Sequence, residues 1–347
     1  MESLVAAFDV QADWCRRLGS PLYAALLERC ADELRAGKGR LVELLAPYCD
    51  DPPQSALALR LMAAVHRLTL AGQAAELAAH YPSCGGDGDA AAAWAAFSNA
   101  IVAHYPVLRS ALAEPVQTNE VSRAAALFGG FLTVAARYRR PLRLLELGAS
   151  SGFLLRWDRY RYCARGWAWG PPSSPVRLEE HFADATLPFD VQSVPVAIAD
   201  RSGCDLAPID AASEAGSLRL RSFVWADQLD RLARLAAACS VARTIPATVD
   251  RADAPTWLAE KLAEPSPGTA TVVFHAVVMQ YLCERDRARV ARELERAGAR
   301  ATSDSPLARL SLEPRSGANV ILQLWPSDEE LGLARASLHG RDVTWLM

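Results

Sequence analysis

Nothing in this chain limits its fold more than Leu144-Leu145-Glu146-Leu147-Gly148-Ala149-Ser150-Ser151-Gly152. An apolar run ends in a carboxylate and turns through small residues into 153–162, which is patterned as a helix. Strand, tight turn and helix N-terminus in succession form the arrangement that grips nucleotide-like groups in open α/β sheets.

The chain on either side divides sharply. Residues 1–140 read as helix after helix, with no strand pattern before Leu142. Ser20-Pro21 offers an N-cap followed by proline at the first helical position, and Leu22, Leu26, Cys30 and Leu34 form an apolar stripe ended by Gly37. Residues 55–72 are apolar nearly all round, so that helix is expected to be buried with His66 hydrogen-bonded inside it. A loop follows at 82–89, then a stripe through Trp94, Phe97, Ile101 and Tyr105, and a long helix over 118–138. After Leu142 strands and helices alternate. Strands are expected at 142–147, within 194–205, at 244–253, 271–278, 307–312, 319–325 and 342–346. Helices are expected at 153–162, 218–242, 255–262 and 285–298. Such alternation implies right-handed crossovers and a mostly parallel sheet. The close spacing of the last three strands fits an antiparallel finish. An irregular insert rich in Trp, Gly and Pro occupies about 163–195, and Trp167 and Trp169 in it suit a substrate lid or a satellite core.

Composition narrows the function classes. At 347 residues, 51 % hydrophobic and 22 % charged, the chain suits about two globular domains. A formal charge of −3 gives no overall electrostatic footprint for nucleic acid. Arg139, Arg140, Arg143, Arg156, Arg159 and Arg161 form a local basic group that reads as a solvated face. No apolar run reaches the roughly 18–20 residues of a membrane span, and the N-terminus lacks a secretion-signal pattern. The expectation is a cytoplasmic protein acting on a small molecule, with no nucleic-acid or membrane partner. The eight cysteines include no Cys-x-x-Cys pair and no histidine cluster stands beside them, so no metal site is expected and the thiols read as free and mostly buried.

Four segments could carry chemistry, in the order of the first four strands. The loop offers Glu146, Gly148, Ala149, Ser150 and Gly152. Gly203-Cys204-Asp205-Leu206-Ala207-Pro208 offers Asp205, with Asp200 as the alternative. Asp250-Arg251-Ala252-Asp253 offers Asp253, which would serve equally well as a helix cap before Ala254-Pro255. The fourth strand and its exit offer His275 as a base and Tyr281 as a pocket wall, although a histidine in an apolar strand is often satisfied in a core. Gln117-Thr118-Asn119-Glu120 reads as a cap or a clamp, and Trp225, Asp227, Gln228 and Arg231 as a polar helix face.

The order and motifs of these segments resemble the class I S-adenosylmethionine (SAM) methyltransferases over residues 142–347, although the insert makes the distance from Gly152 to Asp205 longer than usual. In that group the loop reads carboxylate-x-Gly-x-Gly-x-Gly, with Ser150 here in place of the middle glycine. The resemblance implies a Rossmann-like methyltransferase sheet, mostly parallel with an antiparallel last strand, as a domain at 141–347. An all-helical N-terminal cap region at 1–140 would roof its crevice. It further implies SAM as cofactor, held by Glu146, Gly148, Ala149, Ser150, Gly152, Asp205 and Asp253, with His275 and Tyr281 at the reacting group. Two other readings stand beside it. A non-catalytic relative could bind a ligand or partner in the same crevice, an idea that Ser150 favours. The loop also spells Gly-x-Ser-x-Gly, the nucleophile elbow of serine hydrolases, in which Ser150 would attack with an acid such as Asp253 and with His275 or His339. The all-helical region before Leu142 argues against this hydrolase, and the absence of Gly-x-Gly-x-x-Gly argues against a dinucleotide dehydrogenase.

A tighter likeness covers nearly the whole chain. Val116-Gln117-Thr118-Asn119-Glu120, the loop with Arg156-Trp157-Asp158-Arg159-Tyr160-Arg161-Tyr162, Ser174-Pro175-Val176-Arg177-Leu178, Gly203 to Asp210, Val224-Trp225-Ala226-Asp227-Gln228 with Arg231, and Phe274-His275-Ala276-Val277 resemble a bacterial domain of unknown function, family 2332. That family implies no established activity or substrate.

Overall fold

A computed structural model describes residues 2–52, 55–183 and 190–346; part of the expected insert, 184–189, lies outside the described residues. The chain forms two compact units. One comprises residues 1–118 and 213–236, the other 119–212 and 237–347. The division therefore falls at Thr118/Asn119 rather than near 140, and a later segment joins the N-terminal helices.

The first unit is helical throughout, with its longest elements at Glu2–Arg17, Pro21–Ala36, Leu57–Leu70 and Ala90–Ala103. Phe8, Leu26, Leu27, Leu61, Val65, Phe97 and Leu108 are fully buried in one core. Its polar supports come from far along the chain. Ser20 does not cap the helix that follows it. The cap is Asp227, whose Oδ2 accepts the Leu22 amide at 3.1 Å while Oδ1 accepts the Ser20 hydroxyl. The expected helix over 218–242 is correspondingly broken into Glu214–Ser222 and Leu229–Thr244, and the intervening turn buries Trp225 and Ala226. His66 is buried as expected. One ring nitrogen lies 3.1 Å from the Ser222 carbonyl and the other 2.8 Å from the Ser83 hydroxyl, and burial pushes its pKa down to about 4.

The second unit is α/β. Its strands are β1 (Leu142–Leu147), β2 (Arg161–Ala164), β3 (Trp167–Trp169), β4 (Arg177–Leu178), β5 (Ile198–Asp205), β6 (Thr248–Arg251), β7 (Ala270–Ala276), β8 (Leu307–Leu312), β9 (Val320–Trp325), β10 (Glu329–Arg335) and β11 (Thr344–Trp345). Eight form one sheet in the order β11-β10-β9-β8-β7-β1-β5-β6, and β3-β2-β4 form a small second sheet. From β6 to β8 all neighbours are parallel, and from β8 to β11 they are antiparallel. The doubly wound half is Rossmann-like and the closing strands make the expected antiparallel finish as a simple meander. The helix Arg123–Tyr138 covers one face, packing Phe131 edge-on against Phe274 at 5.1 Å. Gly130 is required there, because a Cβ would overlap the Leu310 side chain. The other face packs Leu145, Leu147 and Val273 against Trp257, Leu258, Val290 and Leu294. Among the described residues no helix is long and apolar enough to cross a membrane.

The segment after β1 departs from the reading. It is a short 3₁₀ helix, Leu154–Arg159, kinked at Arg156, and it gives way to β2. The Tyr160 hydroxyl donates to the Phe153 carbonyl at 2.6 Å and the Tyr162 hydroxyl to the Trp157 carbonyl at 2.9 Å. These side chains take carbonyls that a continuing α-helix would use. The insert's rings form a satellite core: Phe128 stacks on Tyr162 at 4.2 Å, and Trp157 lies between Phe131 and Trp169.

Candidate functional site

Four strand ends meet at one edge of the large sheet. In register, Leu147 of β1 pairs with Cys204 of β5, Glu146 pairs with Phe274 of β7, and Asp205 pairs with Arg251 of β6. The segments following these strands therefore emerge side by side, at the carboxyl edge where open α/β sheets bind ligands.

The loop after β1 is set by backbone conformation. Gly148, Ser150 and Gly152 have φ of 66°, 52° and 68°. That region suits glycine and costs roughly 1 kcal/mol for a residue with a Cβ. Ser150 is held in it at both ends, its amide donating to Asp205 Oδ2 at 2.9 Å and its carbonyl accepting the Ile209 amide at 3.1 Å. Asp205 Oδ1 accepts the Ala207 amide at 2.9 Å, so two backbone donors orient this carboxylate. The loop packs directly onto β5, where a Cβ on Gly203 would overlap Ala149. Asn119 braces it from outside by donating to the Ser151 hydroxyl at 2.7 Å. Arg156 spans its exit, donating to the Gly152 carbonyl at 2.8 Å and to the Ile245 carbonyl at 2.7 Å.

Glu146 lies beneath this loop, buried, and Oε2 has no hydrogen-bond partner among the described residues. Burial drives its pKa well up, against the pull of Arg156 and Arg123, which favours the protonated carboxyl. Asp253 caps the helix Ala254–Lys261 through the Thr256 amide at 3.1 Å. Asp250 instead accepts the Trp257 indole N–H at 2.7 Å, and that bond outweighs burial to lower its pKa. Leu206, next to Asp205, is 72 % exposed, and Tyr281 is 49 % exposed.

His275 is fully buried within β7. Strand alternation puts it on the opposite face from Phe274 and Glu146, level with Ser311 of β8. Its acid is Glu313, 2.7 Å from Nδ1, rather than Asp253, so the Ser–Asp–His arrangement of the hydrolase reading is not assembled around His275. The same Glu313 Oε1 accepts the Val278 amide at 2.9 Å and the Met279 amide at 3.2 Å. Burial lowers the His275 pKa, while for Glu313 the histidine and the two amides together outweigh burial and lower the pKa. A neutral imidazole therefore faces an ionised carboxylate, Nδ1 carries the proton, and Nε2 presents a lone pair with no partner among the described residues. The bonds from Glu313 also secure a strained turn, since Val277 has a φ of 59°, an outlier for a β-branched residue. Val278 then packs on the loop, where a Cβ on Gly148 would overlap it.

Glu313, Asn119 and Val278 were not singled out as site residues in the sequence. Asn119 lay in a recognised motif, but Glu313 is 38 residues from its partner and carries no local signal. All eight cysteines are free, with Cys15, Cys30, Cys204 and Cys239 buried. No group of three or more metal-binding side chains occurs among the described residues.

A family model described as an uncharacterized protein conserved in bacteria, DUF2332, matches residues 5–345. The chain belongs to this family. No curated protein and no solved structure matches it. The family's match takes in both compact units, so the helical segments belong to it as much as the sheet does.

Proposed function

We propose that the chain is a SAM-dependent methyltransferase acting on a small-molecule acceptor, with its cofactor at the carboxyl edge of β1, β5, β6 and β7. One observation carries the reading: the parallel register of these strands lines up the Gly148–Gly152 loop, Asp205-Leu206, Asp250 to Asp253 and Val278 to Tyr281 along a single edge. The residues present suit the cofactor chemically. Asp205 is a pre-oriented carboxylate for ribose hydroxyls, and Leu206 leaves an apolar surface in water beside it, suited to a purine face. Gly148, Ala149, Ser150 and Gly152 would contribute backbone, Glu146 would support them from below, and Asp253 would serve the base. SAM supplies an activated methyl group, so the protein has chiefly to position the acceptor and remove a proton. In this reading His275 Nε2 is the proton acceptor and Tyr281 a wall of the acceptor pocket.

A second reading, a non-catalytic relative binding a ligand in the same crevice, is favoured by the complete burial of the His275 ring. Titration calorimetry with SAM and S-adenosylhomocysteine tests the first proposal. Binding lost in Gly152→Trp and Asp205→Ala supports a cofactor site, whereas silence at millimolar cofactor refutes it. Binding with no methyl transfer to any member of an acceptor library favours the second reading.

A further inference from the structure

The helix Glu2–Arg17 has one side fixed in the helical unit and the other in water. Its buried residues are Leu4, Phe8, Ala12 and Cys15. Val10 and Trp14, at i and i+4 on the far side, are 57 % and 49 % exposed. Leu18 continues the stripe at i+8, its amide still bonded to the Trp14 carbonyl at 3.0 Å, and it too is exposed. Gln228 Nε2 donates to the Leu18 carbonyl at 2.7 Å, which brings the exposed Leu229 near the end of the stripe. Four of the nine large hydrophobic side chains exposed among the described residues therefore gather in one place. Scattered singly they would need no explanation, but together they mark an interaction surface.

The same face fits a reversed copy of itself. Ser3, Ala6, Ala7 and Val10 stand at i, i+3, i+4 and i+7, the four positions that outline a hole for one knob on a facing helix. Three of them are small, so the hole is deep, and it lies in the N-terminal half of the helix. The knob, Trp14, lies in the C-terminal half. Charge runs in the same sense. Asp9 pairs with Arg35 and Asp13 with Arg16, all within the helical unit. Glu2 and Arg17, at opposite ends of the helix, enter no ion pair among the described residues, and the Arg17 guanidinium lies 5.9 Å from the Trp14 ring centroid. Acid and hole at one end meet base and knob when a second copy is turned end for end.

We propose that this face is the contact of a two-fold dimer in which the helices Glu2–Arg17 of two copies pair antiparallel across Val10. Each Trp14 enters the hole formed by Ser3, Ala6, Ala7 and Val10 of the second copy, and each Arg17 comes beside Glu2 of the second copy. The contact is isologous, so it closes at two chains rather than growing into a filament. Antiparallel pairing also sets the helix dipoles head to tail. A helix of 16 residues is about 24 Å long. Two such faces bury on the order of 1,000 Å², the lower end of specific interfaces, which fits a dissociation constant in the micromolar range.

Sedimentation velocity on the full chain from roughly 1 to 200 μM tests the proposal. Wild type is expected to pass from monomer to dimer within that range. Trp14→Lys and Val10→Lys should each raise the dissociation constant at least about tenfold, with melting by circular dichroism unchanged because both side chains are exposed. Ala6→Trp separates a specific fit from mere stickiness. It fills the hole and should weaken association at least about tenfold, whereas a non-specific apolar surface would gain from a second exposed indole. The proposal is overturned if wild type stays monomeric up to roughly 200 μM, if the dimer survives Trp14→Lys unchanged, or if Ala6→Trp tightens association.

Discussion

Replacing Glu313 removes the acceptor for three donors at once, and the cost can be worked from its geometry. Oε1 receives His275 Nδ1 at 2.7 Å and the amides of Val278 and Met279 at 2.9 and 3.2 Å, with 17 % of the side chain exposed. A hydrogen bond to a charged group contributes about 1.5–3 kcal/mol and a neutral one about 0.5–1.5. Glu313→Gln keeps an oxygen but loses the charge, so about 1 kcal/mol is lost per bond, or about 2–3 in all. Glu313→Ala leaves three donors unpaired and should cost about 4 kcal/mol, moderated by water entering at the exposed edge. Urea unfolding at pH 7, followed by tryptophan fluorescence and circular dichroism, measures both losses, with a two-transition fit if the units unfold separately. Acid should remove the difference between wild type and Glu313→Gln. The folded pKa of Glu313 is depressed, so its contribution is complete above the unfolded value near 4.3 and disappears as pH falls through the lower folded value. A cost below about 0.5 kcal/mol for Glu313→Ala, or a difference for Glu313→Gln that grows on acidification, would refute this account of the turn.

The remaining predictions concern other groups. His66 is neutral when folded, with a pKa lowered to about 4, so stability should fall by on the order of 3 kcal/mol as pH drops from about 6.5 to 4. His66→Gln should flatten that dependence in urea titrations across the same window. Asp227→Asn weakens the cap on Leu22 and the bond from Ser20, and should cost about 1–2 kcal/mol by urea unfolding. Ser150→Gly relieves a left-handed φ of 52°, and the loss of strain should offset the added freedom of the unfolded chain, leaving stability unchanged or raised by up to about 1 kcal/mol. A clear loss of stability on that substitution would mean that the Ser150 side chain, rather than its backbone, holds the loop.

What could be read from the sequence was what depends on neighbours in the chain. β1, β7 and β8 were visible because each is a short apolar run bounded by turn residues, and parallel strands buried on both faces leave that trace. β10 was not, since Glu329-Glu330-Leu331-Gly332-Leu333 mixes charge and glycine and becomes a strand only by pairing with β9. The segment after β1, patterned as a helix over 153–162, is a shorter 3₁₀ helix, Leu154–Arg159. Capture of its carbonyls by Tyr160 and Tyr162 is a side-chain event that periodicity does not encode. Asp227 and Glu313 illustrate the same limit, as each serves backbone groups 205 and 34–35 residues away respectively. The glycine loop and the four strand ends could be found, but the groups that stiffen them could not.

Two carboxyls at this edge, the buried Glu146 and the partly buried Glu313, bear most directly on whether it is a working site. Glu146 and Glu313 lie on opposite faces of the sheet, by strand alternation from Phe274 and His275. Their environments drive them apart: burial raises the pKa of Glu146, while His275 and two amides lower that of Glu313. Glu313 secures the turn after β7, whereas an apolar side chain of similar volume at Glu146 would avoid its desolvation cost. Two titratable groups pushed in opposite directions beside strained residues, Ser150 and Val277, form the pattern found where acid and base roles are divided. Glu313 fixes the proton on Nδ1 and so leaves Nε2 of His275 as an acceptor. Stability accounts for the strands and for Glu313 at the turn, but not for burying the Glu146 carboxyl beneath the loop.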